Sequence, residues 1–115
     1  MREVQDHISL YHAHVYFQSH TEGAAMALRE AVAKRFGHAI TMHPPAQGSR
    51  GPHVNPMFGL DLPQSHALDV IGFLMLNHGP LAVLIHPVTD NELLDHTHHA
   101  LWLGSPQPLN LAILA

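Results

Sequence analysis

No cysteine occurs anywhere in the 115 residues, which removes disulfides, thiolate zinc sites and cysteine nucleophiles together. Cationic side chains are scarce: 5 Lys plus Arg stand against 9 Asp plus Glu, a net charge of −4 with histidine neutral. So few cations give almost no electrostatic hold on a phosphate backbone, and nucleic acid is not expected as a partner. Long hydrophobic runs are missing too. The run from Val70 to Leu76 is far too short to cross a bilayer, so no membrane association is expected. The opening MREVQDHI lacks the apolar segment of a signal peptide. The expectation is therefore a soluble, cytoplasmic protein forming one domain, residues 1–115, around one core.

What the chain has in excess is histidine, 13 of them. Imidazole is both the commonest metal ligand and the side chain that titrates near neutrality. The organising stretch runs from Gly79 to Gly104, GPLAVLIHPVTDNELLDHTHHALWLG. A buried-looking strand, Leu81 to Ile85, delivers His86 at its end, and Asp95, His96, His98 and His99 follow within reach. A strand that ends on a histidine is a rigid mount for a metal or acid–base group.

Residues 8–18, ISLYHAHVYFQ, alternate with the period of a strand. Tyr11, Ala13, Val15 and Phe17 point one way, toward the core, and His12, His14 and Tyr16 the other. At roughly 3.3 Å per residue, His12 and His14 stand about 7 Å apart along that face. Ser19-x-x-Glu22 has the form of a capping box and opens a helix to about Phe36, with Ala25, Leu28, Val32 and Phe36 at helical spacing. A short second strand, His38 to His43, leads into a Pro/Gly-rich loop that delivers His53 just before a third strand, Val54 to Leu62. By parity His53 falls on the Met57 face, away from the core. Ser65 is placed as the cap of a second helix over about 65–77, with Leu68, Ile71 and Met75 as its core stripe. Thr89 or Asp90 is placed as the cap of a further helix carrying Asp95, His96 and His99. Leu109 to Leu114 is read as an edge strand or a dimer contact.

The order is βαββαβ with a C-terminal extension, which makes the fold α+β and ferredoxin-like: an antiparallel sheet with two helices on one face. The strand order of that fold is 4-1-3-2. Taking strand one as parallel to strand three and antiparallel to strand four brings His12, His53 and His86 together on the helix-free face. Clustered imidazoles need a partner, and a divalent metal supplies one. On this reading His12, His53 and His86 are the metal ligands, and His14 is a fourth ligand or a substrate contact. Imidazole suits Zn, Fe, Cu and Ni alike, and no carboxylate among Asp61, Asp90 and Asp95 stands out as a further ligand.

Several pieces in order resemble the small DOPA 4,5-dioxygenase family, extradiol ring-cleaving enzymes of fungal betalain biosynthesis and their bacterial relatives. They are Tyr11-His12-Ala13-His14-Val15-Tyr16, Gly51-Pro52-His53 with Met57-Phe58 after it, Gly79-Pro80-Leu81, Val83-Leu84-Ile85-His86-Pro87 and Thr89. Asp95-His96-Thr97 with Ala100, Trp102 and Gly104 completes the set. Val54 stands where the family often has proline, Gly59 where it often has glutamate, and Asp90 where it often has glycine.

The resemblance implies oxidative ring opening of a small aromatic diol such as L-DOPA by Fe(II) and O2, giving a muconic semialdehyde. Zn or another divalent metal can occupy such a site. A nearby histidine, His14 or His96, then accepts the catechol proton as general base, and Tyr16 and His14 contact substrate. Trp102 is read as packing. A homodimer is expected, because a small open sheet face needs covering. Two other classes stay open: a non-catalytic metal- or small-molecule-binding ferredoxin-like dimer, and a zinc-dependent hydrolase, which three histidines and an open position also permit.

Overall fold

A computed structural model describes residues 4–115. Strand β1 (Leu10–Tyr16) is followed by a 3-10 turn at Ser19–Thr21 and helix α1 (Glu22–Phe36). Then come β2 (Thr41–Met42), β3 (Met57–Pro63), α2 (Gln64–Asn77) and β4 (Ala82–Pro87). The short α3 (Glu92–Asp95), β5 (Leu101–Leu103) and a 3-10 turn at Leu111–Leu114 complete the order. The sheet order is β2-β3-β1-β4-β5, with every neighbouring pair antiparallel. The ferredoxin-like α+β architecture is therefore present, extended by a fifth strand.

One detail of the expected topology is corrected. Strand β1 runs antiparallel to β3, not parallel, with Tyr16 opposite Met57 and Leu10 opposite Pro63. The start of β3 thus lies at the end of β1, which moves His53 from beside His12 to beside Tyr16.

The alternation in β1 sorts side chains as the sequence predicts. Ala13, Val15 and Phe17 are buried on the helix-covered face with Phe58, Leu60, Leu62, Val83 and Ile85. Ala25, Leu28 and Val32 of α1, and Ala67, Val70 and Leu74 of α2, close that core from above. Each fully buried Leu, Val or Phe contributes roughly 1.5–3 kcal/mol relative to an exposed one.

Of the stripe expected on α2, Ile71 packs against the core and the other two positions do not. Leu68 is 81% exposed and Met75 58%, while Ala67, Val70 and Leu74 point inward. Residues 67–76 are nearly all apolar, so periodicity does not single out one face, and sheet packing chooses it. Ser65 makes no cap, since Pro63 holds the N-cap position. Asn91, rather than Thr89 or Asp90, caps α3, its side chain accepting from the Leu94 N–H at 3.0 Å.

The C-terminal extension folds back across the helix-free face. Strand β5 pairs with β4, and Leu109 bridges to His53. Residues 111–114 form a 3-10 turn instead of the expected edge strand. Trp102, Ala100 and Leu109 pack on Tyr16, Met57, Ala82 and Leu84, a second small core on this face. The turn out of β5 uses Gly104 at φ +73°, where a Cβ would lie 3.1 Å from the Leu81 carbonyl oxygen. Only glycine meets both demands without strain.

Candidate metal and acid–base site

On the helix-free face, antiparallel register sets His12 opposite His86 on β4 and opposite Asp61 on β3. His14, two residues on, faces Leu84 and Gly59. His53 arrives from the loop before β3, and His96 from the turn after α3. Five imidazoles therefore share one patch. Ring centroids lie 5.3 Å apart for His12–His86, 5.1 Å for His14–His86, 4.0 Å for His14–His53 and 4.1 Å for His86–His96.

Among the described residues, two three-histidine sets bring their ligand atoms within 4.8 Å of one another: His12, His14 and His86, and His14, His53 and His96. His14 belongs to both. Of the ligand set expected from sequence, the structure joins His12 and His86 through His14 and places His53 in the other set. His12, His53 and His86 do not themselves form one such set. Of the residues expected at the proton and substrate, His14 is central, His96 lies at the rim and Tyr16 is buried beneath His53. His98 is exposed, and His99 pairs with Asp95. The bridging role of His14 follows from the antiparallel pairing of β1 with β3.

The tautomers of two rings are set by backbone carbonyls, which can only accept. His86 Nδ1–H donates to Pro87 O at 2.8 Å, and His96 Nδ1–H donates to Glu92 O at 2.7 Å. Both rings therefore present a bare Nε2 to the patch. His14 Nε2 lies 3.1 Å from His86 Nε2. The Tyr16 hydroxyl lies 2.7 Å from His53 Nδ1, and Trp102 stacks on the Tyr16 ring. His12 Nε2 is 3.1 Å from Asp61 Oδ1, an oxygen that also meets His43 Nε2 at 3.0 Å.

Four of the five rings, His12, His14, His53 and His86, are biased toward the neutral form. Burial, reinforced by repulsion from neighbouring imidazoles, pushes His53 down to about 4. Burial likewise takes His86 to about 4, against the opposing pull of its bond to Pro87. His14 lies well below its ordinary value, from burial first and then from His53 and His86. His12 is lowered by burial in spite of Asp61. Burial raises the Tyr16 phenol, which keeps its proton.

Asp95 is the counterweight. Burial alone would raise it, but bonds from the Thr89 hydroxyl and N–H, both at 2.7 Å, and from His99 hold it below the usual carboxylate value.

Neutral imidazoles with bare nitrogens are what a divalent transition metal binds. With metal–nitrogen bonds of about 2.0–2.1 Å, two nitrogens on one ion stand about 3.0–3.4 Å apart. The His14–His86 spacing of 3.1 Å fits that range, so this donor set suits such an ion. A cleft of about 540 Å³ lies elsewhere, beside Tyr11, Pro87, Thr89 and His99.

Fold and patch together define a small ferredoxin-like domain with a cluster of histidines on its helix-free sheet face spaced to hold a metal ion. The chain belongs to the Dopa 4,5-dioxygenase family, whose model matches residues 11–113. It is 32% identical over 114 residues to the DOPA 4,5-dioxygenase of Amanita muscaria, covering 93% of this chain and 50% of that protein. It is 34% identical to an uncharacterised 21.2 kDa protein of Botryotinia fuckeliana, covering 90% of this chain and 62% of that one. The chain thus spans about half to three-fifths of the curated relatives it matches. The crystal structure of a candidate dioxygenase from Nostoc punctiforme superposes with a TM-score of 0.88 at 33% identity, covering 93% of this chain and 91% of that one.

Proposed function

We propose that this chain is an extradiol dioxygenase that opens the ring of a catechol such as L-DOPA, with a histidine-held Fe(II) and O2. The observation that carries the reading is the five-imidazole patch centred on His14, in a chain of this family. His12, His14 and His86 are proposed as the residues that hold the ion. A divalent ion there supplies Lewis acidity toward the two catechol oxygens and, as Fe(II), the means to reduce O2.

The remaining groups bind and move the proton. His96 has its Nδ1 tied to the backbone, leaving a bare Nε2 at the half-buried rim to accept the catechol proton. His53, braced by Tyr16, faces the substrate from the other side of His14. Tyr16 thereby orients His53 rather than touching substrate. Trp102 and Leu109 cover the far end of the patch and exclude water.

The protein is further proposed to work in the cytoplasm as a homodimer. Leu68, Met75 and Leu76 form an exposed apolar stripe on the outer face of α2, and light scattering that returned only monomer at micromolar concentration would remove the dimer.

The deciding experiment is anaerobic loading with Fe(II), followed by oxygenated 4-methylcatechol or L-DOPA. Substrate-dependent oxygen uptake with a yellow semialdehyde product supports the reading. Tight zinc binding without oxygen uptake would leave a binding domain, and oxygen-independent turnover of an ester would make the site hydrolytic.

A further inference from the structure

The cleft of about 540 Å³ beside Tyr11 and Pro87 takes no part in the proposed reaction. Tyr11 packs with the helix-covered core and stands opposite Pro87 across the β1–β4 pair. Their chain neighbours His12 and His86 turn to the other face, so the cleft and the imidazole patch are separate. Its volume is that of a small-molecule site, roughly 300–1,000 Å³. The segment before β1, with Asp6 and Ile8, forms one wall, and Gln64, Thr89 and His99 form the others.

What these walls offer is mostly lone pairs. Thr89 commits both of its donors to Asp95, the N–H to Oδ2 and the hydroxyl to Oδ1, each at 2.7 Å. Its hydroxyl oxygen can then only accept. His99 Nδ1–H donates to Asp95 Oδ1 at 3.2 Å, so a neutral His99 has a bare Nε2. The first turn of α2 reaches the cleft only through Gln64, whose N–H is taken by Ser9 O at 2.9 Å. The helix end therefore adds no free N–H there. Formal charge is of one sign. Asp6 stands on the wall with Asp95 one hydrogen bond behind it, and among the described residues no Lys or Arg lines the cleft. Tyr11, Ile8 and Pro87 supply apolar surface, and an aromatic ring attracts a cation to its face.

We propose that this cleft binds a small organic cation, one whose N–H donors are carried on an apolar body. The donors bond to the Asp6 carboxylate, Thr89 Oγ1 and His99 Nε2, and the body lies against Tyr11, Ile8 and Pro87. An anion would meet Asp6 and unshared lone pairs, and a purely apolar ligand would leave those acceptors without donors. Thr89 and His99 are also what hold Asp95. A ligand bonded to them steadies the turn that sets His96, whose N–H donates to Glu92 O at 3.2 Å. That link to the patch rests on the proposed role of His96; the binding itself does not.

The test is titration of the intact protein with benzamidine, with benzamide and benzoate as its neutral and anionic counterparts, followed by calorimetry and by amide spectra. Benzamidine is expected to bind with a Kd below about 1 mM, and about tenfold or more tighter than either counterpart. Spectral shifts should centre on Tyr11, Thr89 and His99 rather than on His12 and His14, and amide exchange at His96 should slow. Asp6→Asn removes the wall charge and is expected to weaken binding about tenfold. Gln64→Lys places a cation in the cleft and should abolish binding. Both side chains are exposed, and melting temperatures check that the variants fold. Equal binding of benzamide, or full affinity in the two variants, would overturn the cation site. So would shifts confined to the imidazole patch, or no binding at millimolar benzamidine. Binding with unchanged exchange at His96 would overturn the link to the patch. No readout here uses turnover, so a failure of ring cleavage would not be mistaken for a failure of this site.

Discussion

The hydroxyl of Tyr16 lies 2.7 Å from Nδ1 of His53, with both residues almost wholly buried. The contact exists because β3 runs antiparallel to β1 and brings the loop before Met57 to the Tyr16 end of the strand. Tyr16→Phe keeps the ring that stacks on Trp102 but leaves His53 Nδ1 unpaired. We expect a stability loss of about 1–2 kcal/mol, read from urea denaturation. Turnover should fall about tenfold or more, with zinc affinity little changed, because His53 is not among the proposed ion-holding residues.

His14 is the ring shared by both three-histidine sets. Removing it should therefore cost more than removing any other single histidine. His14→Ala is expected to weaken zinc binding by about a hundredfold or more, His12→Ala less, and His53→Ala least. Zinc titration of the purified variants checks the ranking. A larger loss in H53A than in H14A would return His53 to the ion.

Acid should unfold the ion-free protein early. His53 and His86 sit at about 4 when folded, against 6.5 for an ordinary histidine. Below 6.5 the unfolded chain takes up protons that the folded chain refuses, so stability falls with pH until about 4 and then levels. The loss approaches about 3 kcal/mol for each ring. Asp95 adds to it only below the ordinary carboxylate value, because its folded pKa is lowered. Urea midpoints across this range measure the slope. Zinc should shift the decline to lower pH, since ion and proton compete for the same nitrogens.

Asp95 is 2% exposed and accepts from Thr89 N, Thr89 Oγ1 and His99 Nδ1. It ties the loop after β4 to α3 and so sets His96 over His86. Asp95→Asn replaces one accepting oxygen with a donor facing donors. A loss of about 2–4 kcal/mol is expected, visible as a lower melting temperature. Turnover should fall further than zinc affinity, because His96 loses its setting while His12, His14 and His86 keep theirs.

Much of this was legible in the chain. Period two in residues 8–18 put His12, His14 and Tyr16 on one face, because strand geometry leaves no alternative once Ala13, Val15 and Phe17 are buried. His86 at the end of an apolar strand needed only the same rule. The face of α2 was not legible, since an all-round apolar helix takes its orientation from the sheet beneath it. Strand β5 escaped notice as well, because three residues are too few to show a period.

The sequence by itself determined that the protein has a ferredoxin-like core and that its histidines gather on the helix-free side. Alternation and element order are local properties, written residue by residue. Which imidazoles meet was decided only in three dimensions. The direction of β3 against β1 moved His53 to Tyr16 and left His14 at the centre. Register between distant strands depends on the packing of the whole sheet, and no local spacing encodes it.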